Sequence, residues 1–403
     1  MEKTVKLFWG VVARFVGIFV PVRKKTWVFG SDCGNMYREG SKYLFEYMLL
    51  NHPEYNSVFA TKSRKVCAEL EARGLPCVYN LSLRGIWTIA RAECVFTTNI
   101  ASDVLYAFKK RGRRFFYIVH GQPLKIAQLA LTHTDYAKRK NTKSWLGKLF
   151  ADVKEILSGW FLCDHGNSYS EFVSATSDFL KQWMEKDFDY VTPVKVLGMP
   201  RNDALFQPNR MKSEKWIKEA QGKFVITYMP THRKYGRGEF SPTPFVKRPD
   251  VQKWMEDNDV VLIVKNHPTM LLFKGYTPIE TTCIKDITDK GIDPMVAVYN
   301  SDVIVTDYSS VWMDYLLLRR PIVFYIYDDF EHDDVGVHYD VKKEGVGNFC
   351  YSEDELFDLI KKIKANYDAM RPSDEVVNKF HKYVDGNSCE RYFNEIVKGS
   401  VNG

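Results

Sequence analysis

The chain has 403 residues, 45% of them hydrophobic and 27% charged, a globular composition that excludes collagen-like, coiled-coil and largely disordered chains. That length exceeds what one hydrophobic core organises, so two domains are expected. The net charge of +7 favours an anionic partner without identifying one, and no nucleic acid is expected.

Residues 7–22 read LFWGVVARFVGIFVPV, an apolar run interrupted by Arg14 and ended by Pro21. The run is shorter than the roughly 20 residues that span a bilayer. It meets Arg23, Lys24 and Lys25 instead of a small-residue cleavage site, so it does not read as a signal peptide. Lys3, Lys6 and Arg14 frame Phe8, Trp9, Phe15 and Phe19. Residues 1–25 are therefore expected to lie as an amphipathic helix on an anionic membrane surface; packing on the protein's own core is the alternative.

From Trp27 onward, strand-like runs alternate with amphipathic helices. WVFG (27–30), NSVFAT (56–61), LPCVY (75–79), CVFTTN (94–99) and FFYIVH (115–120) are separated by helical patterns over 41–52, 65–73 and 83–91. No hairpin signal intervenes, which predicts βαβ units and a parallel sheet. Residues 125–160 break the pattern: Lys138, Arg139, Lys140, Lys143 and Lys148 interleave with Trp145, Leu146, Leu149 and Phe150. That stretch reads either as a solvated face or as more membrane-facing surface. VKVLG (194–198) closes the first half and 207–216 reads as a polar linker. A second α/β series follows with KFVITYMP (223–230), DVVLIVKNHP (259–268), DVIVTDYSS (302–310) and RPIVFY (320–325), then helical stretches over 353–367 and 374–397. Two Rossmann-like domains with parallel sheets facing a central cleft are expected, over 26–206 and 207–403.

The eight cysteines form no C-x-x-C pair and no zinc-spaced Cys/His cluster, so they read as reduced and structural in a cytoplasmic protein. Gly30, Gly34 and Gly40 are wrongly spaced for a dinucleotide fingerprint, and no P-loop is present.

Chemistry concentrates at strand ends, where open parallel sheets bind ligands. His120 ends FFYIV and is a candidate general base, with Gly121 after it allowing close backbone approach to a ligand. Ser309 and Ser310 stand between the buried strand DVIVT and the helical VWMDYLLL, where a helix N-cap presents hydroxyl and N–H groups to an anion. His267 with Lys265, and Thr231 with Arg233, end two further strands of the same half. Together they suit a diphosphate leaving group.

HGQPLK (120–125), GMPRND (198–203), YMPTHR (228–233), KNHP (265–268) and SDVIVTDYSSVWMDYLLLRRPIVFY (301–325) resemble the CDP-glycerol glycerophosphotransferases of teichoic-acid and capsule biosynthesis, as does SKYLFEYMLLNHPEY (41–55). The resemblance implies a GT-B-like fold, with the acceptor on the first domain and a CDP-polyol donor on the second, and neither metal nor cofactor. It makes His120 the catalytic base and assigns His267, Ser309, Ser310 and Arg233 to the donor phosphates, to which the strand-end reading adds Thr231 and Lys265. Gly121, Lys125, Arg201, Asp203 and Asp307 support them. The acceptor implied is an undecaprenyl-diphosphate-linked saccharide or polymer at the cytoplasmic face of the cell membrane; an oligomer is left open.

Two stretches depart from the family's pattern. YDDFEHDDVGVHYD (327–340) lacks the Arg of its usual Arg-Gly-Phe-Tyr, although Tyr327, Asp328, Tyr339 and Asp340 fall in suitable places, and DHGNSYSEF (164–172) differs from its serine-containing strand end. CDP-ribitol and nucleotide-sugar donors, and a non-catalytic membrane scaffold, are the alternatives.

Overall fold

The computed structural model describes residues 2–98, 103–105, 107, 111–126, 170–188, 192–211, 217–218, 220–231, 243–267, 270, 276–328 and 336–401. The first sheet contains β1 (Thr26–Phe29), β2 (Asn56–Thr61), β3 (Cys77–Tyr79), β4 (Cys94–Thr97) and β5 (Arg114–Tyr117), all parallel in the order β3-β2-β1-β4-β5. Between them run α2 (Glu39–Asn51), α3 (Arg64–Ala72) and α4 (Leu83–Arg91), the last two started by Ser63 and Ser82, whose hydroxyls accept from the backbone N–H three residues on. A parallel bridge from Phe115 to Ser170 extends this sheet towards the pair β6 (Val173–Ala175) and β7 (Val194–Val196), which flank α5 (Asp178–Asp187).

The second sheet is also parallel. It orders β8 (Phe224–Tyr228), β9 (Val260–Val264), β10 (Ile284–Asp286), β11 (Val303–Thr306), β12 (Ile322–Tyr325) and β13 (Asn348–Cys350) as β10-β9-β8-β11-β12-β13. VVLIV, VIVT and IVFY are buried at every position, as strands covered by helices on both faces must be. Its helices are α6 (Pro249–Asp257), α7 (Pro294–Tyr299), α8 (Val311–Leu316) and α9 (Glu353–Ala365). In each sheet the strand order reverses beside the first strand, so both switch points open a crevice at the carboxyl ends of strands.

The helical stretch expected over 374–397 is two helices, α10 (Asp374–Phe380) and α11 (Ser388–Val401). They return to the first sheet. Phe393 of α11 stacks on His52 with ring centroids 3.5 Å apart and meets Trp27 at 6.0 Å, while Arg114 Nη1 donates to Ile396 O at 2.8 Å. The second half in sequence thus ends as part of the first half in space. The described cysteines are free thiols, all buried except the half-buried Cys33.

The N-terminal run forms α1 (Glu2–Phe19). Trp9, Val12, Ala13 and Val16 pack with Ile86 of α4, Leu81 and Leu105. The other face leaves Phe15, Ile18 and Phe19 about two-thirds exposed, and Leu83 and Trp87 of α4 are exposed as well. No described helix is long and apolar enough to cross a membrane.

Candidate functional site

The two crevices meet in one cleft of about 430 Å³. Its first wall starts where β5 ends. Ile118 N still bonds to Thr97 O at 2.7 Å, after which Val119 and His120 run out over the cleft. His120 is exposed there, and its Nδ1 lies 3.2 Å from Thr98 O. A carbonyl only accepts, so Nδ1 donates its N–H to Thr98 O, and in the neutral imidazole the lone pair then lies on Nε2, the tautomer a general base requires. Thr98 is itself fixed by Asp103, whose Oδ2 accepts from Thr98 N at 2.6 Å.

Arg201 ties His120 to the other half. Its Nη1 donates to the carbonyl of His120 and to Glu39 Oε2 (2.7 Å), and its Nη2 and Nε donate to the two carboxylate oxygens of Asp314 in α8 (2.6 and 3.3 Å). Burial works against the guanidinium's charge, but Asp314 and Glu39 more than offset it and hold its pKa above the ordinary value. One side chain therefore spans the backbone of His120, the first turn of α2 and the helix that follows Ser310.

The second wall carries the strand ends of the second sheet: Thr231 after β8, His267 after β9, and Tyr308, Ser309 and Ser310 after β11. Ser310 occupies the cap position of α8, but its side chain makes no capping bond, so capping is not what it does here. It lies against Gly121 instead: a Cβ on Gly121 would fall 2.7 Å from Ser310 Oγ, closer than any side chain tolerates. The glycine after His120 lets the two walls touch. A buried carboxylate aligns the rim, Asp307 Oδ1 accepting from Thr231 N at 2.7 Å.

At one end of the cleft, Asp293 starts α7, and its Oδ2 accepts from Lys42 Nζ (2.6 Å) and Tyr43 Oη (2.9 Å), both of α2. Burial pushes its carboxyl up, but Lys42 and the other donors win and hold it below the ordinary value. At the other end, Lys125 pairs in an antiparallel bridge with Val337, His338 N donates to Leu124 O, and the His338 Nε2 stands 2.9 Å from Asp187 of α5. Tyr117, Leu124, Met184 and Phe188 add apolar surface near Asp187.

Of the residues expected from sequence, His120, Gly121, Lys125, Arg201, Thr231, His267, Ser309 and Ser310 line this cleft. Lys265 does not: it is buried beneath, and desolvation pushes its ammonium down to about 8. Asp203 is also elsewhere, its carboxylate accepting the first N–H groups of α11 at Ser388 (2.9 Å) and Cys389 (2.7 Å). Asp307 acts through Thr231, as described. Arg233 and the basic segment 138–150 lie outside the described residues. Glu39, Asp187, Asp293, Asp314 and His338 were not singled out by sequence. Asp314 had one signal, a lone acid inside VWMDYLLL, and Asp293 another, an Asp before the Pro that opens a helix. No group of three or more metal-ligating side chains occurs among the described residues.

Comparison with known proteins bears on this geometry. The family model for CDP-glycerol:poly(glycerophosphate) glycerophosphotransferase matches residues 12–398. A teichoic acid poly(glycerol phosphate) polymerase of Bacillus subtilis is 27% identical over 94% of this chain, which spans only 49% of that relative's length. A teichoic acid glycerol-phosphate transferase of Staphylococcus aureus is 27% identical over 92% of both chains. The solved structure of the wall teichoic acid polymerase TagF superposes with a TM-score of 0.69 at 20% identity, covering 100% of this chain and 97% of that one, a likeness of fold.

Proposed function

Because the chain belongs to the CDP-glycerol:poly(glycerophosphate) glycerophosphotransferase family, we propose that it transfers glycerol phosphate from CDP-glycerol to a hydroxyl of a membrane-linked acceptor in the synthesis of teichoic acid or a related surface polymer. The observation that carries this reading is the apposition of His120–Gly121 with Ser310 across one cleft.

The acceptor hydroxyl gives its proton to His120 Nε2 as its oxygen attacks the phosphorus that bears glycerol. The bond from that phosphorus to the bridging oxygen breaks, and CMP leaves with the electron pair. His267, Ser309, Ser310 and Thr231 hold the pyrophosphate, so the protein's contribution is positioning and charge stabilisation. The acceptor enters beside Lys125, Leu124 and Asp187, on the first half. Incubating the purified protein with CDP-glycerol, CDP-ribitol and UDP-sugars, with and without a lipid-linked disaccharide, tests the donor; turnover restricted to a UDP-sugar would overturn it.

The same reading places the enzyme on the membrane. Phe15, Ile18 and Phe19 of α1, with Leu83 and Trp87 of α4, make an exposed apolar face close in sequence to Arg23, Lys24, Lys25, Arg84 and Arg91. Apolar burial and cation attraction to anionic lipid add at such a face. Phe15→Ser/Phe19→Ser should abolish sedimentation with phosphatidylglycerol vesicles and preserve turnover of a soluble acceptor. Undiminished sedimentation would move the contact elsewhere.

A further inference from the structure

Glu39 has no part in the reaction described above, yet it stands in the cleft. It opens α2 with a φ of 63°, the left-handed region, and among the described cleft residues no other non-glycine residue adopts it. That backbone carries the side chain over the cleft, where it remains one-fifth exposed. Its Oε2 accepts from the same Arg201 Nη1 that donates to the His120 carbonyl, so one guanidinium nitrogen joins it to the backbone of the base. Its Oε1 makes no hydrogen bond to any described residue.

The chemistry of the cleft then limits what Glu39 can meet. The opposite wall offers hydroxyl and imidazole groups of Thr231, His267, Ser309 and Ser310, which suit phosphate. A carboxylate repels phosphate and carries no proton to donate. What it does well is accept hydrogen bonds from hydroxyl groups. A CDP-polyol has hydroxyls at two places, the ribose and the polyol, on either side of the pyrophosphate. Only the polyol adjoins the reacting phosphorus and hence the base to which Glu39 is tied.

We propose that Glu39 is a specificity-determining residue whose Oε1 accepts from the hydroxyls of the donor's polyol. This rests on the CDP-polyol reading and goes beyond it. Arg201 holds the carboxylate in place through Oε2, and the polyol is selected by where its hydroxyls fall against Oε1.

Titration calorimetry with CDP-glycerol and with CDP, which keeps the nucleoside and both phosphates but lacks the polyol, separates the possibilities. Glu39→Gln preserves an oxygen for Arg201 and should weaken CDP-glycerol binding by about tenfold or more, leaving CDP within about twofold. Glu39→Asn is the control for folding, because asparagine suits the left-handed backbone better than glutamate does. It should show the same selective loss with no drop in melting temperature. Equal losses for both ligands in Glu39→Gln, or no loss for either, would overturn the assignment. A wild-type protein that binds neither ligand would instead remove the CDP-polyol reading itself.

Discussion

Replacing Arg201 by Met tests how the two halves share the site. The change leaves Asp314, whose side chain is 2% exposed, without its bidentate partner and frees the His120 carbonyl. Breaking a buried pair from one side typically costs about 3–5 kcal/mol, because the surviving charge has no compensation. Burial raises the Asp314 carboxyl's pKa, with Arg201 as the chief opposing influence, so the orphaned acid should take up a proton and hold the cost towards the lower end. The double variant Arg201→Met/Asp314→Leu removes both charges and should recover most of that loss. Turnover should not recover with it, since the His120 carbonyl and Glu39 then lose the guanidinium they share. Urea denaturation of the three proteins, beside initial rates of CMP formation, gives the two readouts. A single-variant cost below about 1 kcal/mol would refute the buried-pair argument. Recovery of turnover together with stability would show that Arg201 serves packing alone.

Other perturbations have separate readouts. His120→Ala should lower kcat by roughly 10²–10⁴ with donor affinity nearly unchanged, measured by initial rates and calorimetry; near-normal turnover would remove it from the mechanism. Ser310→Ala or His267→Ala should weaken CMP binding by roughly tenfold, and unchanged affinity in both would place the pyrophosphate elsewhere. His381 is buried against Met313 O (2.6 Å), and burial pushes its pKa from 6.5 down to about 4. The unfolded chain therefore binds the extra proton between those values, so stability is full above pH 6.5 and falls as the pH drops towards 4. At about 1.4 kcal/mol per pH unit the total is at most about 3–4 kcal/mol. His381→Gln keeps a donor for Met313 O and should flatten that part of the stability–pH curve; an unchanged slope would assign it to other groups.

The strands of both sheets were legible because a parallel sheet covered on both faces needs continuous apolar runs, and VVLIV, VIVT and IVFY supply them. Their carboxyl ends then pointed to His120, Thr231, His267, Ser309 and Ser310 by topology alone. The short strands Val173–Ala175, Ile284–Asp286 and Asn348–Cys350 are not legible in the sequence, since VSA, IKD and NFC form no continuous apolar run. Long-range pairing was equally hidden. Nothing local tells that Asp203 caps a helix 185 residues later, or that Lys265 is buried and does not line the cleft. Glu39 sits in YREGSK, a stretch with no motif, and only the folded arrangement brings it to Arg201. For the N-terminal helix the sequence favours a lipid surface over the protein's own core; in the structure one face packs on α4 and the other stays exposed.

The chemistry itself has one direct test, the identity of the nucleotide released. Attack on the phosphorus that bears glycerol leaves CMP and adds one phosphate to the acceptor with each glycerol; attack on a carbon of the transferred group would leave CDP. With CDP-glycerol and a lipid-linked disaccharide, ion-pair chromatography of the quenched reaction should show CMP in equal amount to the glycerol phosphate incorporated, and none of either with His120→Ala. CDP as the product, or CMP formed without transfer to the acceptor, would contradict the account.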